Sequence, residues 1–248
     1  MVLKLAFNDS VLYEDDEDLD KVIPLISIPQ ELNDRCDSVY EKYKENGVEN
    51  LSLVDMKTYE PIGNISTDKS RYKVNFSEEQ EMLMTELDNN TIIAIHNHPF
   101  NSTFSRGDID MILENNGIGG IIVTTEKYNY YLKPDVEMLK RARENQDAFS
   151  KYFNECLTDI NDEIFDRHLS FNNNTHCSYS IFFRKIGWEY GREKKSKGFD
   201  DTDIEKQWED MLKEGRELLA KETNPNYVED FIKFLKGESK KTEDDTTL

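Results

Sequence analysis

A chain of 248 residues, 37% apolar and 33% charged, is polar but able to collapse around one large core, or one core with an appendage, so a wholly disordered chain is excluded. Its formal net charge of −20 argues against generic binding to a nucleic-acid backbone, which needs clustered Lys and Arg, and fits solubility or a basic protein partner. No apolar run approaches the roughly 20 residues of a membrane span.

Val2–Phe7 reads as a short strand, followed by the acidic run Glu14–Asp18; the start is too short and too quickly acidic for a signal peptide. Residues 1–24 are therefore expected to be an N-terminal strand and acidic linker. Cys36, Cys156 and Cys177 are odd in number and widely spaced, which fits neither a disulfide framework nor a metal knuckle. A cytoplasmic protein with reduced thiols is expected.

Pro29 opens a helix whose stripe is Leu32, Cys36, Val39, Tyr40 and Tyr43, and Gly47 closes it. Glu49–Met56 alternates as a strand, with Glu49, Leu51 and Leu53 on one face. Pro61–Gly63 reads as a turn, and Tyr72, Val74 and Phe76 as a further strand. Ser77 caps the next helix with Gln80 as reciprocal partner, and Met82, Leu83 and Leu87 line its apolar side. Thr91–Ile95 is a continuous apolar run, expected to be a central strand buried on both faces. A short helix carrying Ile109, Met111, Ile112 and Leu113 follows, then a buried strand over Ile118–Thr125 and its hairpin partner Tyr128–Lys133. The order predicts an α/β fold, a mixed sheet flanked by helices, over residues 25–134.

After Pro134 the pattern turns helical. Val136, Leu139, Ala142, Phe149, Tyr152, Phe153, Cys156, Leu157, Ile160 and Ile164 make one long stripe. Residues 180–190, 203–221 and 226–237 read as further helices. Residues 135–237 are thus expected to be an all-helical module, dispensable for metal binding and offering a protein-interaction surface. Residues 238–248 read as a disordered charged tail.

The chemistry sits in His96-Asn97-His98-Pro99 and in Ser105 and Asp108 beyond it. Of four histidines in the chain, these two stand one residue apart at the end of the buried strand, so alternation puts them on one face. Pro99 stops the strand. Ser105 and Asp108 have capping-box spacing, and Asp108 in the first helical turn can aim back at the histidines. Two imidazoles and one carboxylate leave a fourth position open, the pattern of a catalytic zinc. His168 and His176 read as ordinary surface or core histidines. The basic stretch from Arg184 to Lys197 reads as a solvated face, so nucleic acid is not an expected partner.

The string His96-x-His98, six residues from Pro99 to Phe104, Ser105, two residues, Asp108 resembles the JAMM motif of the JAB/MPN zinc metalloproteases, in the HNHP form of their prokaryotic RadC-like and phage-associated branch. Many members have seven residues before the Ser. The resemblance covers roughly residues 25–134 and implies a JAB/MPN-like (cytidine-deaminase-like) fold. It implies zinc on His96, His98 and Asp108, a Ser105 that hydrogen-bonds the tetrahedral oxyanion, and a glutamate from an earlier strand as general base. Among Glu45, Glu49 and Glu60, Glu49 fits best, because a carboxylate on the buried face of a strand needs a reason to be there. The activity implied is hydrolysis of a peptide or isopeptide bond in a protein substrate, ubiquitin-like conjugates included. A non-catalytic binding scaffold on the same fold, and a RadC-like or phage-related protein with a different substrate, are the alternatives.

Overall fold

A computed structural model describes residues 27–67, 74–99, 102–154, 179, 182–183, 186–195, 232–233 and 235–237. The expected Val2–Phe7 strand, the acidic linker, Tyr72, Cys156, Cys177, His168, His176, the helix over 203–221 and the tail 238–248 lie outside these residues.

The elements run α1 (Gln30–Asn46), β1 (Asn50–Asp55), β2 (Pro61–Thr67), α2 (Glu78–Glu86), β3 (Ile92–Asn97), α3 (Arg106–Glu114), β4 (Ile118–Thr124), β5 (Tyr128–Lys133), α4 (Val136–Glu144) and β6 (Glu189–Lys194). One mixed sheet has the order β2-β1-β3-β4-β5-β6. Only β3 and β4 are parallel, joined through α3; the other neighbours are antiparallel. The mixed α/β class expected from the sequence is present. Among the described residues, no helix is long and apolar enough to cross a membrane.

Strand alternation divides the core. Val54, Ile93, Ile95, Ile122 and Tyr131 meet Leu32, Cys36 and Val39 of α1 on one side of the sheet. Burial pushes the Cys36 thiol pKa up, so it is an inert thiol. Gly47 ends α1 in the left-handed conformation, φ 70°, with its N–H on the Tyr43 carbonyl at 2.7 Å. On the other side Leu51, Leu53, Ala94, Ile121 and Val123 pack against α3, α4 and a cluster of aromatic side chains.

Four expectations are corrected. Pro61–Gly63 is not a turn: it begins β2, and the turn lies at residues 56–58. Gly63, at φ 68°, occupies a bulge where Leu51↔Ser66 gives way to Leu53↔Ile62. Gln80, fully buried, fills that irregularity by donating to the Leu51 and Asn64 carbonyls while its Oε1 completes the capping box with Ser77. Residues 74–77 form no strand. The stripe after Pro134 is not one helix: Asn145 ends α4, and a second helical stretch covers 146–154.

The fourth correction concerns the all-helical module. Residues 189–194 are β6, paired along its whole length with β5. Phe149, Phe153, Tyr179, Phe182, Phe183, Ile186, Trp188, Tyr190 and Leu235 belong to the same buried cluster as Leu51, Ile92 and Ile109. Position 134 is therefore not a boundary between cores. The physical reason is that β5 takes a second neighbour beside β4, and Tyr128, Tyr130 and Leu132 share a buried cluster with side chains of the later chain.

Arg143 of α4 ties the two parts together. Its guanidinium donates to the carbonyls of Ile112, Asn115, Asn116 and Ile118 and to Asn90 Oδ1, at 2.6–3.2 Å. Ile112 lies in the last turn of α3, Asn115 and Asn116 follow it, and Ile118 opens β4, so the guanidinium gathers the chain where the helix gives way to the strand; burial lowers the Arg143 pKa to about 10. Arg143→Met is expected to destabilise the protein by roughly 2–4 kcal/mol, since hydrogen bonds to charged groups are worth ~1.5–3 kcal/mol and this group makes several, while the Asn115 and Asn116 carbonyls keep the Ile118 and Asn90 N–H groups. A lower urea midpoint at unchanged slope is the readout.

Candidate metal centre

β3 is buried over all six of its residues. An apolar run flanked by sheet neighbours on both sides forms such a strand without needing alternation. It ends by delivering His96, and His98 lies just beyond, 1% and 7% exposed. The antiparallel register sets Leu51 opposite His96. Glu49 stands two residues before Leu51, just ahead of β1, and His98 two residues after His96, just past the end of β3. From the other side, Ser105 caps α3 and Asp108 lies in its first turn.

The three side chains converge. His96 Nε2 and His98 Nε2 are 3.2 Å apart, and they lie 2.9 Å from Asp108 Oδ1 and 3.4 Å from Asp108 Oδ2 respectively. One ligand atom from each residue falls within 4.8 Å of the other two. A tetrahedral zinc with bonds of about 2.0–2.1 Å spaces its ligand atoms about 3.3 Å apart, so the observed separations suit such an ion. The donor set makes the same point. His98 Nδ1 faces the Ser102 hydroxyl at 3.3 Å, which suits an Nδ1–H and leaves Nε2 with its lone pair. With both Nε2 atoms unprotonated, two lone pairs and a carboxylate face one another, and a positive charge between them relieves the repulsion. A single shared cation meets all three demands. The residues fit a metal ion of the kind that imidazole and carboxylate hold together.

Asp108 does two jobs. Its backbone N–H donates to Ser105 Oγ at 3.3 Å, and its Oδ2 accepts the Ser105 N–H at 2.5 Å, a complete capping box. That leaves Oδ1 turned to His96. Burial would raise the Asp108 carboxyl pKa, but the two facing histidines outweigh it and hold the group well below the usual carboxylate range. Burial would lower the His98 pKa, and the Asp108 carboxylate more than offsets it, so the net shift is upward. The site is thus an anion that attracts positive charge.

Glu49 is 7% exposed. Burial raises its carboxyl pKa against the pull of His96 and His98, with Asp108 adding to the rise. It is not one of the three converging groups, but it sits in their electrostatic field. Glu45 and Glu60, the other candidates, are exposed. Glu60 precedes Pro61, whose partner Val54 is at the opposite end of β1 from the Leu51–His96 pair. Ser105 is exposed at the helix start with its hydroxyl oxygen on the Asp108 N–H.

The sequence did not point to Ser102, or to the later residues that hold this loop. Thr103 Oγ1 and the Tyr190 hydroxyl are 2.8 Å apart, both buried, and Phe104 meets the Tyr190 ring edge-on. Arg106 donates to Ser150 Oγ at 2.7 Å and to Asn154 Oδ1 at 3.2 Å, with its guanidinium over the Phe153 ring. No local signal marks these partners, because they are 44–87 residues away in the chain. Ser102, four residues after His98, was legible only as a polar loop residue.

Comparison with family models, with curated proteins and with solved structures finds no match to this chain.

Proposed function

We propose that this protein is a zinc-dependent peptidase or isopeptidase working in the manner of the JAB/MPN enzymes that its H-x-H, Ser, Asp string resembles. The observation that carries the reading is the buried Glu49 carboxylate beside a three-ligand His96–His98–Asp108 group. A structural zinc site is closed by four ligands, whereas a catalytic one has three and a proton acceptor nearby. A binding scaffold has no use for a carboxylate held at that position against its burial cost.

His96, His98 and Asp108 would hold the ion, with Ser102 orienting the His98 ring and Ser105 the Asp108 carboxylate. When bound, the ion supplies Lewis-acid polarisation of a carbonyl and a water that ionises near neutral pH. Glu49 takes a proton from the attacking water and returns it to the leaving amine. Its upward-shifted pKa suits both halves of that task. The Ser105 hydroxyl hydrogen is not consumed by its capping role, since there the oxygen is the acceptor, so it can donate to the developing oxyanion. A protein conjugate on lysine, ubiquitin-like modifiers included, is the substrate class proposed.

The test joins metal and turnover. The full chain, stripped and titrated with zinc, is expected to bind one equivalent and to cleave an isopeptide-linked lysine conjugate, with chelator abolishing and zinc restoring cleavage. Asp108→Ala should weaken zinc binding by more than the roughly 10–100-fold typical of outer-shell changes. Stoichiometric zinc with no cleavage of any amide or isopeptide would leave a scaffold; no zinc at all would dismiss the site.

A further inference from the structure

We infer that Asn97, the residue between the two histidines, is a positioning residue for Glu49. The inference rests on the reading of Glu49 as the proton acceptor. Asn97 is the last residue of β3 and is fully buried. Alternation turns its side chain to the sheet face opposite the histidines, so it is no part of the ligand set. Its Oδ1 accepts the backbone N–H of Asn50 at 2.8 Å and lies 3.3 Å from Asn50 Nδ2.

The effect falls on Glu49. The N–H of Asn50 belongs to the peptide that follows Glu49; the carbonyl of Val48 belongs to the peptide that precedes it. Asn97 Oδ1 holds the first, and Asn50 Nδ2 holds the second at 2.8 Å. Asn46 Oδ1 accepts the Val48 N–H at 3.0 Å, and Asn46 Nδ2 and Thr67 Oγ1 both donate to Asn50 Oδ1, at 2.9 and 2.8 Å. Both peptide planes flanking Glu49 are therefore pinned by side chains. Leu51↔His96 is the last pair between β1 and β3; beyond it, on that side, the Asn97 side chain takes the Asn50 N–H, while Asn50 still pairs with Thr67 of β2 on the other. An aliphatic residue would pack at position 97 without burying an amide N–H that finds no acceptor among the described residues, as Asn97 Nδ2 does. What Asn97 alone adds is the oxygen on Asn50, and with it the direction in which the Glu49 side chain leaves the backbone. A base displaced by about 1 Å can cost ~10²-fold in rate.

The experiment compares Asn97→Ala with Thr124→Val in the full zinc-loaded chain. Thr124 is the register partner of Asn97 on β4 and is equally buried, so it controls for packing. For Asn97→Ala the expected results are zinc affinity within about threefold of wild type, an unchanged cobalt(II) absorption spectrum, unchanged KM, and kcat lower by ~10²-fold. The Asn50 amide should lose hydrogen-exchange protection. Asn97→Asp, which keeps the acceptor oxygen, should recover most of kcat and of the protection; it also serves if the alanine variant does not fold. Thr124→Val should change none of these. Zinc affinity falling in parallel with kcat would overturn the inference, because the clamp would then serve the histidines. So would an unchanged kcat. Should the wild-type chain bind metal and cleave nothing, the proposed function has failed, and the paramagnetic shift of the Glu49 carboxylate carbon in the cobalt protein decides the positioning role: equal shifts in wild type and Asn97→Ala overturn it. With or without metal, an Asn50 amide exchanging at the wild-type rate in Asn97→Ala also overturns it.

Discussion

Glu49→Gln is expected to keep its zinc and lose turnover by about 10²–10⁴-fold, the usual contribution of general acid–base catalysis. The amide is nearly isosteric, so packing at the start of β1 is kept, and the ligand set of His96, His98 and Asp108 is untouched. What disappears is the ability to take up a proton. The same substitution carries a stability signature of opposite sign. In the metal-free protein burial raises the Glu49 pKa above its unfolded value. The folded state then holds its proton to higher pH than the unfolded state does, and stability is lost as pH rises from the ordinary glutamate range through the folded value. Gln does not titrate. The metal-free variant should therefore be at least as stable as wild type at pH 7, with the advantage shrinking toward pH 4, as read from urea midpoints. Glu60→Gln, at an exposed position by the far end of β1, should turn over normally. A dead Glu60 variant beside a live Glu49 variant would reverse the assignment.

A chain ending at residue 134 is expected not to fold, and so not to bind zinc. Cutting there strips β6 from β5, removes Arg143 from the end of α3, and uncovers Tyr128, Tyr130, Leu132, Ile109 and Ile112. Each large apolar side chain returned to water costs about 1.5–3 kcal/mol. Five of them together, about 7.5–15 kcal/mol, are comparable with the roughly 5–15 kcal/mol by which a domain is stable. The loop bearing the ligands would also lose Tyr190, Ser150 and Asn154. Circular dichroism and proton NMR of the truncated chain test this. A dispersed spectrum with zinc uptake would restore the view that the later half is dispensable.

The site was more legible than the surrounding fold. His96 and His98 announce themselves by alternation at the end of an apolar run, and Ser105 and Asp108 by capping-box spacing; both signals are local. Glu49 was legible as a charge in line with the apolar residues of a strand, and it stands buried one residue before β1. β6 was not, because Glu189-Tyr190-Gly191-Arg192-Glu193-Lys194 carries charges at four of its six positions. An outer strand takes its conformation from the neighbour it pairs with more than from its own composition. Pro61 and Gly63 look like a turn for the same reason that they suit the start and the bulge of an outer strand: one lacks a donor, the other accepts positive φ. Asn145 broke a stripe that had the right period on both sides, since a stripe records which face is buried and not whether the backbone continues.

The irregularity in β2 has a consequence for how copies of this protein meet one another. Among the described residues β2 is one edge of the sheet, where a flat, regular strand would offer its free backbone groups to a second molecule. Here Pro61 provides no N–H, the Gly63 bulge breaks the row, and Gln80 and Lys42 already occupy the carbonyls of Asn64 and Ile65. What remains is too interrupted to template strand addition. Sheets of two copies are therefore discouraged from joining through this edge, and the same residues that keep Glu49's strand in register on one side discourage pairing on the other.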